Sequence, residues 1–251
     1  MAERPLLEAV VFDAGGTLVR LDFEWMAATL SRLGHPLDAA ALRRAEVAGR
    51  RRYDRSRGHQ LAPGELHSPL GSAGDTHCFF TGMLEAAGVR HGLVEAAIAE
   101  FLEHHAEGGL WGKPMEGARE AVAAVLALGL RCAVVSNSDG RAERHLAECG
   151  VRDGLEFVVD SQVEGVEKPD PEIFRIALRR LGLPAERALY VGDIRSVDEA
   201  GARAAGMHFV LIDPYGDYGA PEGPRIASIA RLPEWVAAHF TAGAQGRTPI
   251  R

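Results

Sequence analysis

Five short apolar runs recur along the chain: Ala9 to Phe12, Arg131 to Val135, Phe157 to Val159, Ala188 to Val191 and Phe209 to Ile212. Runs of this length that stay apolar, rather than alternating with polar residues, belong to strands buried on both faces. Between and after them, Glu116 to Leu128, Arg141 to Cys149, Pro171 to Leu181 and Val197 to Ala205 read as helices. Gly129, Gly150, Gly182 and Gly206 stand just past these segments, where a left-handed residue stops a helix. The alternation predicts an α/β fold, a doubly wound parallel sheet with helices on both faces, and ligands in such sheets bind beyond the carboxyl ends of the strands. Ile226 to Phe240 reads as a closing helix and Thr241 to Arg251 as a tail.

The interval between Phe12 and Glu116 contains no convincing strand and reads as a helical insertion. Phe23 to Leu33, Ala39 to Arg55, Thr76 to Ala87 and Leu93 to His105 have helical length, and a stretch rich in Gly, Pro and Ser from Gly58 to Gly74 parts the second from the third. Leu21-Asp22 and Gly108 to Pro114 are the expected hinges. A chain of 251 residues with 47% hydrophobic content can carry this plan, with residues 1–20 and 112–251 as one core and 21–111 as a smaller inserted domain.

A formal net charge of -7 favours solubility and argues against a general basic surface for nucleic acid. The most apolar long window, Ala121 to Val135, is interrupted by Gly129 and Arg131 and falls short of the ~20 residues a membrane span needs. No nucleic-acid or membrane partner is expected. Cys78, Cys132 and Cys149 show neither paired spacing nor a Cys-His zinc pattern, and no secretory leader precedes Asp13. A reducing, cytoplasmic setting is the simpler reading. None of the ten His residues has the i, i+4 spacing of a helical zinc site, and Phe79-Phe80 with Met83 and Leu84 reads as core of the insertion.

Asp13 ends the first apolar run and opens Asp13-Ala14-Gly15-Gly16-Thr17-Leu18, which presents a carboxylate at the mouth of a buried strand. Taken singly it would read as a turn or capping residue. Three more segments follow in order: Val134-Val135-Ser136-Asn137, Lys168-Pro169-Asp170-Pro171, and Gly192-Asp193 with Asp198. Together the four resemble the motifs of the haloacid dehalogenase superfamily, whose members are mostly phosphatases that form an aspartyl-phosphate, and the insertion resembles the small helical cap of one of its subgroups.

The resemblance implies Asp13 as nucleophile. A carboxylate attacks phosphorus poorly unless the phosphoryl charge is neutralised and the geometry is in line, so cations and donors must surround it. Mg²⁺, which takes hard oxygen ligands and only one or two carboxylates, would be held by Asp13, Asp193 and the backbone carbonyl of Gly15, with Asp198 on the metal or its water. Ser136 would hydrogen-bond a phosphoryl oxygen, and Lys168 would neutralise the transferred group while keeping Asp13 ionised. Backbone N–H groups near Gly15, Gly16 and Asn137 would add donors.

Gly15 departs from the family pattern, which usually has a second Asp there as general acid and base. Haloacid dehalogenases and phosphonatase also lack it, and both remain alternatives. The Gly-Asp-x-x-x-x-Asp pattern at Gly192 suits a metal that those dehalogenases do not need, and the insertion contains no Lys for a Schiff base, the nearest being Lys113 in the linker. An idle relative that binds an anion or a protein is a further alternative. Glu65, His67, Asp75 and His77 are candidates for a relocated acid/base. The insertion also carries Arg43, Arg44, Arg50, Arg51, Arg52, Arg55 and Arg57. Arg51 and Arg55 share a helix face and are the expected contacts to an anionic, phosphorylated substrate, the competing reading being a solvated basic face. The expectation is a monomeric or homodimeric Mg²⁺ phosphohydrolase for a small metabolite.

Overall fold

In the computed structural model, residues 4–58, 73–216, 218 and 223–243 are described. A six-stranded sheet is built from β1 (Ala9–Phe12), β2 (Arg131–Ser136), β3 (Val158–Asp160), β4 (Ala188–Gly192), β5 (His208–Ile212) and β6 (Arg225–Ile226). All neighbours are parallel, in the spatial order β3-β2-β1-β4-β5-β6. This is the doubly wound order, whose direction of winding reverses between β1 and β4.

The period of two along each strand divides the core. Val10, Phe12, Val134, Val191 and Val210 face one side, and Ala9, Val11, Val135, Tyr190 and Phe209 the other. Each fully buried Val or Phe contributes roughly 1.5–3 kcal/mol relative to exposure, so one register slip would place both sets wrongly. Four helices lie between β1 and β2 before the core helices begin: α1 (Phe23–Arg32), α2 (Ala39–Gly58), α3 (Ala73–Ala86) and α4 (His91–Ala106). The core then adds α5 (Ala118–Ala127), α6 (Ala142–Glu148), the single turn α7 (Ser161–Glu164), α8 (Pro171–Leu181), α9 (Ala200–Ala204) and α10 (Leu232–His239). Side chains of α5, α6 and α10 pack on the first face, those of α8 and α9 on the second.

The inserted helices have their own apolar cluster, in which Met26 and Leu30 of α1 meet Leu42 of α2, Phe80 and Met83 of α3, and Ile98 and Phe101 of α4. Their spacings of three and four give each helix one inward stripe. Asp22 starts α1 by accepting a 3.0 Å bond from the Trp25 N–H. Where the chain leaves and re-enters the core, Val19–Arg20 pairs antiparallel with Lys113–Pro114. Among the described residues, no helix is long and apolar enough to cross a membrane.

Three elements differ from the sequence expectation, the first being the expected tail, whose Thr241 and Ala242 pair in parallel with Leu6 and Leu7. The closing helix expected from Ile226 is confined to α10, because Arg225 and Ile226 pair with Leu211 and Ile212 as an edge strand, followed by a 3₁₀ turn at Ile229–Arg231. A two-residue strand has no periodicity of its own; its partner creates it. The helix expected over Val197 to Ala205 opens instead as a wide π turn, Arg195–Glu199, before α9.

Candidate active site

The strand register sets the site. Phe12 lies opposite Val134 on one side and Val191 on the other, so Asp13, Ser136 and Asp193 leave the sheet along one edge. Lys168 comes to them from the loop before α8, and Asn137 clamps that loop: its Nδ2 donates to the Lys168 carbonyl at 2.9 Å while its Oδ1 accepts the Lys168 N–H at 2.7 Å. Asp170 then caps α8 by accepting from the Glu172 N–H. Asn137 thereby has a backbone-holding task that its residue type alone did not reveal.

Lys168 Nζ donates to Asp13 Oδ1 at 2.5 Å, to Asp198 Oδ1 at 2.7 Å and to the Tyr190 hydroxyl at 3.0 Å. All its donors are used, and its side chain is 3% exposed. Burial disfavours its charge, but Asp13 and Asp198 hold its pKa well above the usual lysine value. The Tyr190 hydroxyl in turn donates to the Val135 carbonyl at 2.8 Å, tying the ammonium to β2. Asp198 accepts the backbone N–H groups of Asp193 and Ile194, each at 3.0 Å, with its other oxygen. It therefore shapes the Asp193 loop and holds Lys168 together.

Asp13, Asp193 and Asp198 offer carboxylate oxygens that lie within 4.8 Å of one another. Burial raises the Asp13 pKa to about 7, Lys168 opposing and Asp198 reinforcing the shift. Burial also drives Asp193 well above the ordinary carboxylate value, against Arg50 and with Asp13 and Asp198. Among the described residues, no hydrogen-bond partner meets the buried Asp193 Oδ1. Three clustered carboxylates with an orphaned oxygen suit a hard divalent cation, and these residues could hold one.

Gly16 lies at φ +79°, and a Cβ there would stand 2.2 Å from Asp193 Oδ2. Its N–H is given to the Val19 carbonyl at 2.8 Å, so Gly16 admits Asp193 instead of lining the cavity as a phosphate donor. Gly15 does line it, together with Ser136 and Asn137. Among the described residues, the Ser136 hydroxyl makes a single 3.5 Å contact, to the Asn137 carbonyl. Trp111 covers Gly15: a Cβ on Gly15 would meet its indole at 3.2 Å.

From the inserted helices, Arg50 rather than Arg51 or Arg55 enters the cavity. Arg50 is 5% exposed and donates to Asp193 Oδ2 at 3.3 Å, with Glu46 one turn before it on α2. Arg51 and Arg55 are exposed and do not line the cavity. Other members of the Arg run are committed elsewhere: Arg43 to Glu116, Arg52 to Glu85, and Arg44 over the Tyr215 ring. The inward face was readable from Leu42 and Ala45, which lead through Glu46 to Arg50 at helical spacing, whereas clustering of Arg codes says nothing about which side faces the core. Asp54, on the same helix, accepts the Ser196 N–H at 2.7 Å and docks α2 on the loop after β4.

His77 pairs with Glu95 at 2.9 Å and does not line the cavity. Glu65, His67 and the Asp75 side chain lie outside the described residues. Lys113 pairs with Asp22 at 3.2 Å. Phe79 and Phe80 serve the insertion's core and also line the cavity.

Residues 7–206 match the family model of haloacid dehalogenase-like hydrolases. The chain belongs to that family and is a hydrolase of it. It is 32% identical over 222 residues to haloacid dehalogenase-like hydrolase domain-containing protein 3 of Homo sapiens, covering 81% of this chain and 88% of that one. It is likewise 32% identical over 227 residues to phosphoglycolate phosphatase of Rhodospirillum rubrum, covering 90% and 85%. Among solved structures, the HAD-hydrolase YfnB of Bacillus subtilis, bound to magnesium, superposes with a TM-score of 0.61 at 18% identity over 92% of this chain and 98% of that one. That last likeness is one of fold.

Proposed function

We propose that this hydrolase is a Mg²⁺-dependent phosphohydrolase of a small phosphorylated metabolite, working through an aspartyl-phosphate on Asp13. The observation that carries the reading is the Asp13 carboxylate held 2.5 Å from the Lys168 ammonium, beside Asp193 at the sheet edge. Its similarity to a protein named phosphoglycolate phosphatase supports the choice of ester.

In this mechanism an Asp13 oxygen attacks phosphorus in line, and the ester oxygen departs on the side of the inserted helices, which act as a cap over residues 21–111. Lys168 balances the charge on Asp13 and on the transferred group. Ser136 and the backbone around Gly15 and Asn137 orient the phosphoryl oxygens. When bound, Mg²⁺ would neutralise phosphoryl charge from ligands on Asp13, Asp193 and the Gly15 carbonyl, with Asp198 behind them. Water then releases phosphate from Asp13. We place the enzyme in the cytoplasm, as a monomer or homodimer.

Gly15 under Trp111 favours a second reading, displacement of a leaving group that needs no proton, as in 2-haloacid dehalogenation, and beyond it an idle binding protein. One screen separates the three. Phosphate-ester hydrolysis that requires Mg²⁺ and is lost in Asp13→Asn is the expected result. Hydrolysis of 2-haloacids in EDTA with no action on phosphate esters would replace the proposal, and inertness to both would favour the idle protein.

A further inference from the structure

The family's usual acid/base position is empty of side chain at Gly15 and roofed by Trp111, so proton transfer to the leaving group must come from elsewhere in the cavity. Among the described cavity residues, six carry a carboxyl, imidazole or ammonium group: Asp13, Glu46, His105, Lys168, Asp193 and Asp198. Asp13 is the attacking group, Lys168 and Asp198 are bonded to each other, and Asp193 is held by Arg50. His105 lines the cavity too, but its Nε2 lies 3.6 Å from Asp139 and 3.5 Å from Arg141, and burial lowers its pKa, which favours the neutral ring over the imidazolium a general acid needs.

Glu46 remains, and we infer that its carboxyl group is the general acid and base that serves Asp13. It is 7% exposed, sits on the inward face of α2 and lines the same cavity as Asp13 and Gly15. Among the described residues nothing hydrogen-bonds its carboxyl oxygens; Arg50 Nη2 stands off at 3.9 Å. The charged groups around it are Arg50 and Arg43 from its own helix and Arg20 from the strand pair at the hinge, with Asp193 beyond Arg50. Burial outweighs these cations and raises its pKa, which moves a carboxyl toward the range where it both gives and takes a proton near neutrality.

The inference rests on the phosphohydrolase reading and supplies the step that reading lacks. As Asp13 forms its bond to phosphorus and the bond to the ester oxygen breaks, the Glu46 O–H passes its proton to that oxygen, releasing an alcohol. The resulting Glu46 carboxylate then takes a proton from water as the water oxygen bonds to phosphorus and the Asp13–phosphorus bond breaks. Inorganic phosphate leaves, and Asp13 and protonated Glu46 are restored.

The test compares wild type, Glu46→Gln and Glu46→Asp in Mg²⁺ on an alkyl phosphate and on p-nitrophenyl phosphate, whose phenolate departs without a proton. Glu46→Gln is expected to lower kcat on the alkyl ester by ~10²- to 10⁴-fold, to flatten one limb of the pH profile, and to release a stoichiometric burst of p-nitrophenol before slow turnover. Glu46→Asp, which keeps the carboxyl group, is expected to recover part of the alkyl-ester rate. Glu46→Gln that folds and matches wild type in rate and pH profile would overturn the inference while leaving the phosphohydrolase reading intact. Equal loss on both esters in both variants, with no burst and no change in pH profile, would make Glu46 a structural partner of Arg50 and also overturn it. A wild type that hydrolyses neither ester would remove both readings.

Discussion

The Trp111 indole fills the space in front of Gly15, 3.2 Å from where a Cβ would stand, so the missing side chain and the aromatic cover are one arrangement. Restoring an acidic residue there is therefore a packing change as well as a chemical one. Gly15→Asp alone is expected to destabilise the protein by ~1–3 kcal/mol, the usual cost of overpacking a fitted site. Gly15→Asp combined with Trp111→Ala should lose less than the sum of the two single losses, which urea unfolding of wild type, both single variants and the double variant would measure. Additive losses in the double variant would show that the two positions do not compete for space.

Arg50 and its neighbours on α2 separate by burial. Arg50→Ala leaves Glu46 and Asp193 without the cation between them and is expected to change kcat and the Michaelis constant. Arg51→Ala and Arg55→Ala, at exposed positions, should leave both within about twofold, since surface substitutions away from special features usually cost under ~0.5 kcal/mol. Steady-state kinetics on one phosphate ester decides the matter. A large effect at Arg51 or Arg55 with none at Arg50 would reverse the assignment.

The orphaned oxygen of Asp193 predicts that Mg²⁺ stabilises the fold. A ligand at a hundredfold excess over its dissociation constant adds about 2.7 kcal/mol, so the melting temperature should rise with Mg²⁺ in wild type and much less in Asp193→Asn. Because the cation needs ionised carboxylates and the Asp13 pKa stands at about 7 without it, binding should tighten from pH 6 to pH 8 in calorimetry.

The same shift has a stability consequence in metal-free protein. Asp13 has a folded pKa raised from 3.8 to about 7, so the neutral carboxyl is favoured in the fold. Its contribution is fully present below pH 3.8 and is lost as pH rises through about 7. Asp13→Asn removes the ionisation. In EDTA it should be more stable than wild type at pH 8, the gap narrowing toward pH 4, as followed by urea midpoints. A gap independent of pH would contradict the role assigned to burial at Asp13.

Much of this was legible in one dimension. The apolar runs marked five of the six strands because burial on both faces leaves no polar alternation, and α8 runs from Pro171 to Leu181 between its capping Asp170 and the left-handed Gly182, as local chemistry dictates. β6 was not legible, since Arg225 and Ile226 become a strand only by pairing with Leu211 and Ile212.

The candidate site divides in the same way. Asp13, Ser136, Lys168, Asp193 and Asp198 are placed by strand ends and loop motifs, and their order along the chain was enough to single them out. Leu42 and Ala45 mark at helical spacing the α2 face that carries Glu46 and Arg50, but that this face meets Asp193, that Tyr190 ties Lys168 to β2, and that Trp111 roofs Gly15 depended on how distant elements pack together. The sequence by itself determined which residues have the chemistry and where the turns and strand ends present them, because those depend on near neighbours in the chain. Only the tertiary structure decided what faces them across the cavity, because contacts between residues as distant as Gly15 and Trp111, or Arg50 and Asp193, are set by the packing of whole elements and leave no local pattern.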